Sequence, residues 1–181
     1  EPYVGKVDLT PITKYFWDME LVNHSYFNQS LLLSASKRID VEMLKKTVSE
    51  NKLAAIMFET VQGEGGVMPL TEEFVKAISE ICEKEDILMI VDEVQTGNGR
   101  TGMLYGYMNY GVKPDIFSTA KGLGGGLPIG ACVMNEKTAD VLGAGAHGST
   151  FGGNPVACAG ALNILSRIDE KLLMGVRKKS D

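Results

Sequence analysis

Cysteine is scarce in this sequence. Cys82, Cys132 and Cys158 are scattered over 181 residues, odd in number and set in apolar surroundings. That argues against a disulfide scaffold and predicts buried free thiols in a reducing compartment, with the cytoplasm as the default location. Histidine is scarcer still: His24 and His147 stand at no metal-ligand spacing to each other or to the cysteines, so no metal site is expected. The net charge of −5 comes without a basic cluster, which argues against a nucleic-acid surface. No apolar run approaches the ~20 residues of a membrane span, and the first residues follow no signal-peptide pattern.

Several motifs are also missing. ILMIVDE (Ile87–Glu93) has the look of the hydrophobic run and acidic pair that hold Mg²⁺ in P-loop ATPases, but no G-x-x-x-x-G-K-[ST] element accompanies it. GLGGGLPIG fails as G-x-G-x-x-G in either register, because Leu127 and Ile129 stand where the third glycine belongs. A dinucleotide fold is therefore disfavoured. The nucleophile elbow G-x-S-x-G does not occur.

What is present is a core. At 44% hydrophobic and 23% charged, the chain matches one globular domain, and a domain of this length buries roughly 70% of its unfolded surface. Glycine is unevenly spread, with 15 of the 21 between Gly97 and Gly153. Glycine at that density is costly to order, which predicts loops closing around a ligand.

Residues 1–39 carry the weakest signal. Tyr15, Phe16, Trp17 and Tyr26–Phe27 suit a core edge or a partner surface, and no period emerges. From Asp40 the pattern sharpens. Asp40 caps a helix with Val41, Leu44 and Val48 on one face, and Ala54–Thr60 reads as a buried strand. A loop carrying Glu64 follows. Thr71 then caps a helix with Glu72 and Glu73 in its first turn and Phe74, Val75, Ile78, Ile81 and Cys82 as its apolar stripe. Strands are predicted over Ile87–Val94, Ile116–Ala120 and Gly130–Met134. Asn154 with Pro155 behind it starts a further helix, whose Ala157, Ala159, Gly160 and Ala161 allow close packing. Strands alternating with helices predict an α/β fold with a mainly parallel sheet.

Two of these strands end in reactive groups: ILMIV runs into Asp92 and IFSTA into Lys121. In α/β sheets ligands bind beyond the carboxyl ends of the strands. One reading makes Lys121 a Schiff-base amine and Asp92 the carboxylate that keeps a pyridine nitrogen protonated, so that the ring serves as an electron sink. The plain alternative is an exposed lysine opening a loop beside an ordinary strand-end acid. Ser149-Thr150, just ahead of a helix start, suits an anion contact or merely a capped turn. Spacing leaves both pairs of readings open.

Taken together, VDEVQTGNGRTG, KPDIFSTAKGLGGGLPIG and HGSTFGGNPVACAGAL resemble the class III (subgroup II) pyridoxal-phosphate aminotransferases of fold type I, over roughly Asp40 to Ile168. Gln95 with HGSTFGGNP is most similar to the acetylornithine and ornithine members. The resemblance implies that Lys121 binds pyridoxal 5'-phosphate covalently and moves the substrate proton, while Asp92 pairs with the pyridine nitrogen. It implies cofactor contacts for Glu93, Val94 at the ring face, Gln95 at the phenolic oxygen, and Thr150 at the phosphate across a homodimer interface. Ser149 and Glu64 fall at substrate positions, Glu64 matching a glutamate that pairs with a substrate-binding arginine. Thr60 stands where proline is commoner, a minor departure.

The implied reaction moves the amino group of N-acetylornithine, or an ornithine-like ω-amine, to 2-oxoglutarate, in arginine biosynthesis. The alternatives are another class III ω-aminotransferase acting on 4-aminobutyrate or succinyldiaminopimelate, an aminomutase or decarboxylase of the same fold, or a non-catalytic scaffold. The upstream phosphate loop, the stacking aromatic and the carboxylate-binding arginine are not found. The chain is therefore expected to be a fragment, with 1–39 unassigned and 40–181 the central part of the cofactor-binding large domain.

Overall fold

The structure is a computed structural model and describes residues 30–32 and 40–180. The aromatic positions from Tyr15 to Phe27, considered above as a core edge, lie outside the described residues.

A five-stranded sheet organises the chain. Its strands are β1 (Ser30–Leu32), β2 (Ala55–Phe58), β5 (Leu88–Asp92), β6 (Ile116–Thr119) and β7 (Ala131–Met134), lying side by side in that order. The first four run parallel, and β7 returns antiparallel to β6 along its edge. The sheet is thus mainly parallel, as the sequence predicts. Three features were not foreseen: β1, the antiparallel sense of β7, and a small ribbon of β3 (Val61–Gln62) with β4 (Met68–Pro69). Each is too short, or too dependent on pairing, to leave a periodic trace.

The helices begin where their caps dictate. In α1 (Val41–Glu50) the Met43 N–H donates to Asp40 Oδ1 at 2.8 Å. In α2 (Glu72–Glu85) the Phe74 N–H donates to Thr71 Oγ1 at 3.2 Å. In α3 (Pro155–Arg167) the Ala157 N–H donates to Asn154 Oδ1 at 2.9 Å. Each bond satisfies a backbone donor that the first helical turn cannot. A further helix, α4 (Glu170–Ser180), follows α3 and carries Leu173 inward.

α1 and α2 cover one face of the sheet. Leu44, Val75, Ile78 and Cys82 pack there against Ile56, Phe58, Met89 and Val91. Burying side chains of this size contributes about 1.5–3 kcal/mol each. The apolar run of β5 predicts burial on both faces, yet burial alternates: Met89 and Val91 are buried, whereas Leu88, Ile90 and Asp92 are half-buried. The helical cover lies on the Val91 side, and strand alternation turns Asp92 to the other. No helix among the described residues is long and apolar enough to cross a membrane. The thiols also depart from expectation: Cys82 is buried, but Cys158 is half-buried and Cys132, on the edge strand, is exposed.

Candidate active site

The carboxyl ends of β2, β5 and β6 lie side by side, with Phe58 opposite Val91 and Asp92 opposite Ser118. Parity then decides which side chains meet. Asp92 and Ser118 share the face away from α1 and α2, and Ser118 Oγ donates to Asp92 Oδ1 at 3.1 Å. The Val94 N–H donates to the same oxygen at 2.9 Å. One oxygen of Asp92 is thereby tied down, while Oδ2 has no partner among the described residues.

Lys121 opens a single 3₁₀ turn, Lys121–Gly124, directly after β6. Its φ is 47°, in the left-handed region that non-glycine residues seldom enter. The turn is held from two sides. α3 lies against it so closely that a Cβ on Gly160 would stand 2.9 Å from the Gly124 carbonyl oxygen, and one on Gly125 2.9 Å from Ile164. From the other side, Asn98 Nδ2 donates to the Ala120 carbonyl at 3.0 Å and to Thr119 Oγ1 at 3.3 Å. Lys121 itself is exposed to the crevice.

The β2 end supplies an acid that the sequence reading passed over. Glu59 follows β2 immediately, is half-buried, and accepts the Gly63 N–H at 3.1 Å. Desolvation raises its pKa above the ordinary carboxylate value. The Gly63 bond and the Lys121 charge lower it, while Asp92 and Glu64 raise it further. Glu59, Asp92 and Lys121 stand at the carboxyl ends of three adjacent strands. The strand-end rule that singles out Asp92, applied to β2, would have found Glu59. Glu64 is exposed at the mouth, and Gln95 Nε2 reaches its Oε1 at 3.4 Å, across Gly63.

Glu93 corrects an expectation. Its side chain is fully buried and faces away from Asp92. Its carboxylate accepts the Gly106 N–H at 2.7 Å, the Tyr107 N–H at 2.8 Å and Thr96 Oγ–H at 2.7 Å. With three donors on it and no exposed surface, it staples the 96–106 loop shut instead of touching a ligand. Desolvation still pushes its pKa up, against the lowering effect of those bonds.

Ser149 and Thr150 are exposed. The 143–153 segment is exposed throughout, and among the described residues no hydrogen bond joins either hydroxyl to Asp92, Gln95 or Lys121. Phe151, beside them, is 81% exposed.

The sheet order, with its acid and amine at adjacent strand ends, defines part of an α/β large domain of fold type I. The family model of the class-III aminotransferases matches residues 9–181. The chain belongs to that family. The match begins well upstream of Asp40, where the sequence reading let the resemblance start. An acetylornithine aminotransferase of Vibrio vulnificus is 50% identical over 141 residues, 77% of this chain and 35% of that protein. A succinylornithine transaminase of Yersinia pseudotuberculosis is 45% identical over 159 residues, 87% of this chain and 36% of that protein. The ornithine aminotransferase of Toxoplasma gondii, whose structure is described as having partial occupancy of PLP at the active site, superposes with a TM-score of 0.70 at 43% identity. That superposition covers 74% of this chain and 32% of the other. The chain thus spans little more than a third of the curated relatives it matches.

The crevice suits pyridoxal phosphate. The unpartnered oxygen of a fixed strand-end carboxylate is what a protonated pyridine nitrogen requires, and the neighbouring strand end offers the primary amine that an aldehyde requires.

Proposed function

We propose that the protein carrying this chain is a pyridoxal-phosphate-dependent aminotransferase that moves the amino group of N-acetylornithine, or a closely similar ω-amine, to 2-oxoglutarate. The observation that carries the reading is the pairing of Asp92, with one oxygen fixed and one free, with Lys121 on the adjacent strand end. The likeness to acetylornithine aminotransferases supports the donor and, with it, a place in arginine biosynthesis and a cytoplasmic location. The match to a succinylornithine transaminase supports a second reading, in which the acyl group on ornithine is succinyl.

Bound in this crevice, the cofactor supplies an electron sink that lets a substrate carbon release its proton. Asp92 Oδ2, the oxygen without a partner among the described residues, would accept the N–H of a protonated ring nitrogen. Val94 would pack against the ring face, and Gln95 would face the phenolic oxygen. Lys121 Nζ, at the neighbouring strand end, would be the amine that binds the cofactor's aldehyde and the base that moves the substrate proton. Glu64 would pair with a substrate-binding arginine and release it when the second substrate brings its own carboxylate. Ser149 and Thr150 serve a partner subunit's site, Thr150 at the phosphate and Ser149 near the substrate. The exposure of Phe151, Val156 and Leu162 around them supports a homodimer interface there. Glu93 acts through the loop it closes.

Borohydride reduction of the full-length protein with pyridoxal phosphate, followed by peptide mass mapping, tests the reading. A reduced pyridoxyl adduct on the Lys121 peptide is expected, and Lys121→Ala should lose both it and activity. An intact protein with no adduct at Lys121 ends the enzyme reading. A donor screen with 2-oxoglutarate then separates acetylated from succinylated ornithine.

A further inference from the structure

We infer that Asn98 is a positioning residue for Lys121, the clamp that sets the direction of the reactive amine. The inference rests on the reading of Lys121 given above. Lys121 occupies a left-handed backbone conformation at the end of β6, which an L-residue keeps only where its surroundings impose it. One side chain reaches the backbone at that point from outside the turn. Asn98 Nδ2 donates to the carbonyl of Ala120, the peptide group that leads into Lys121, and to the hydroxyl of Thr119 one residue earlier. The Ala120 carbonyl also accepts the Leu123 N–H at 3.0 Å, so the Asn98 bond reinforces the oxygen that closes the lysine turn.

Asn98 is suited to this place and is itself constrained there. Its φ is 56°, a conformation that asparagine tolerates far better than a β-branched or bulky residue does. Its Oδ1 is buried without a hydrogen-bond partner. A buried amide oxygen left unpaired is a cost, and the two bonds of the amide nitrogen to the lysine strand are what the side chain gains in return. Gly97 N–H to Glu93 O at 2.8 Å and Gly99 N–H to Leu104 O at 3.1 Å lock the backbone on either side. Asn98 therefore hangs from the same rigid loop that starts at Asp92 and is stapled by Glu93. Through it, the loop that carries the acid also grips the strand that delivers the amine. The separation of the two reactive groups is set by that grip as well as by the sheet.

The test uses Asn98→Gly, which keeps the left-handed backbone and removes the donor, and Asn98→Asp, which keeps the shape and replaces the donor with an acceptor. Each is made in the full-length protein and treated with pyridoxal phosphate and borohydride. The rate of adduct formation at Lys121 is divided by that at exposed Lys113, which corrects for reagent, and the thermal midpoint of each variant checks that the fold is kept. Both variants are expected to slow the Lys121 ratio by roughly tenfold or more, as misplacement of a reacting group does. The thermal midpoint of Asn98→Gly should stay close to wild type. Ratios equal to wild type in both variants overturn the assignment of Asn98. Absence of a Lys121 adduct in the wild-type protein instead overturns the reading of Lys121 on which it rests.

Discussion

Replacing Glu93 with alanine removes three accepted hydrogen bonds from one buried carboxylate. The consequence can be worked from what is left behind. The Gly106 N–H is buried and loses its only partner site, and an orphaned buried donor costs about 1–3 kcal/mol. Tyr107 is half-buried, so its N–H regains water in part. The Thr96 hydroxyl can rotate but remains buried. Removing a carboxyl group from the interior offsets some of this, and the net loss should be about 2–4 kcal/mol at neutral pH. Glu93→Gln keeps one acceptor oxygen but turns an amide nitrogen toward a backbone N–H, so it should cost about 1–2 kcal/mol. Equilibrium urea unfolding of the full-length protein measures both. A pH series adds an independent signature. Burial raises the Glu93 pKa above the ordinary 4.5, so the folded state holds this proton more tightly than the unfolded chain does. Its contribution is therefore largest below about 4.5, falls as pH rises toward the folded-state pKa, and is level above it. The difference between wild type and Glu93→Gln should follow that slope. If Glu93→Ala costs less than ~1 kcal/mol, or Glu93→Gln costs as much as alanine, the staple is wrong.

Two further outcomes follow from packing and from thiol burial. Gly160→Ala should destabilise by about 1–2 kcal/mol despite the helix propensity that alanine gains, because its Cβ would stand 2.9 Å from the Gly124 carbonyl oxygen. Gly175→Ala in α4, with nothing within 4 Å of the added carbon, should instead stabilise by about 0.5–1 kcal/mol, and equal effects in urea melts would contradict the account of α3 on the lysine turn. Burial, with Asp115 beside it, pushes the Cys82 thiol up to about 12, so native protein at pH 8 should react with a thiol reagent at exposed Cys132 and spare Cys82 until urea is added. Mass mapping of a brief alkylation that finds Cys82 modified would refute this.

Some of the site was legible in the chain alone because it depends on short range. A cap needs only a side chain three residues from an orphan N–H, and Asp40, Thr71 and Asn154 each make the bond their spacing predicts. Asp92 and Lys121 were visible as the polar ends of apolar runs, and strand parity does the rest. The same rule covers Glu59, the residue that follows the apolar run of β2.

Other features had no local signature. Asp92 and Glu93 are adjacent acids after one strand, and nothing in their identity says which points to the crevice and which into the loop; the helices packed on the Val91 side of the sheet decide it. The Asn98 bond to Ala120 spans 22 residues and exists only because the 96–106 loop folds back over the β6 end. Cys132 looked buried by its apolar neighbours, yet β7 is an edge strand with an open face. The sequence by itself determined where elements start and which residues stand at strand ends, since caps and alternation act over two to four positions. Which of two neighbouring side chains meets a ligand, and what holds the lysine at its angle, waited on contacts between segments that only the folded sheet brings together.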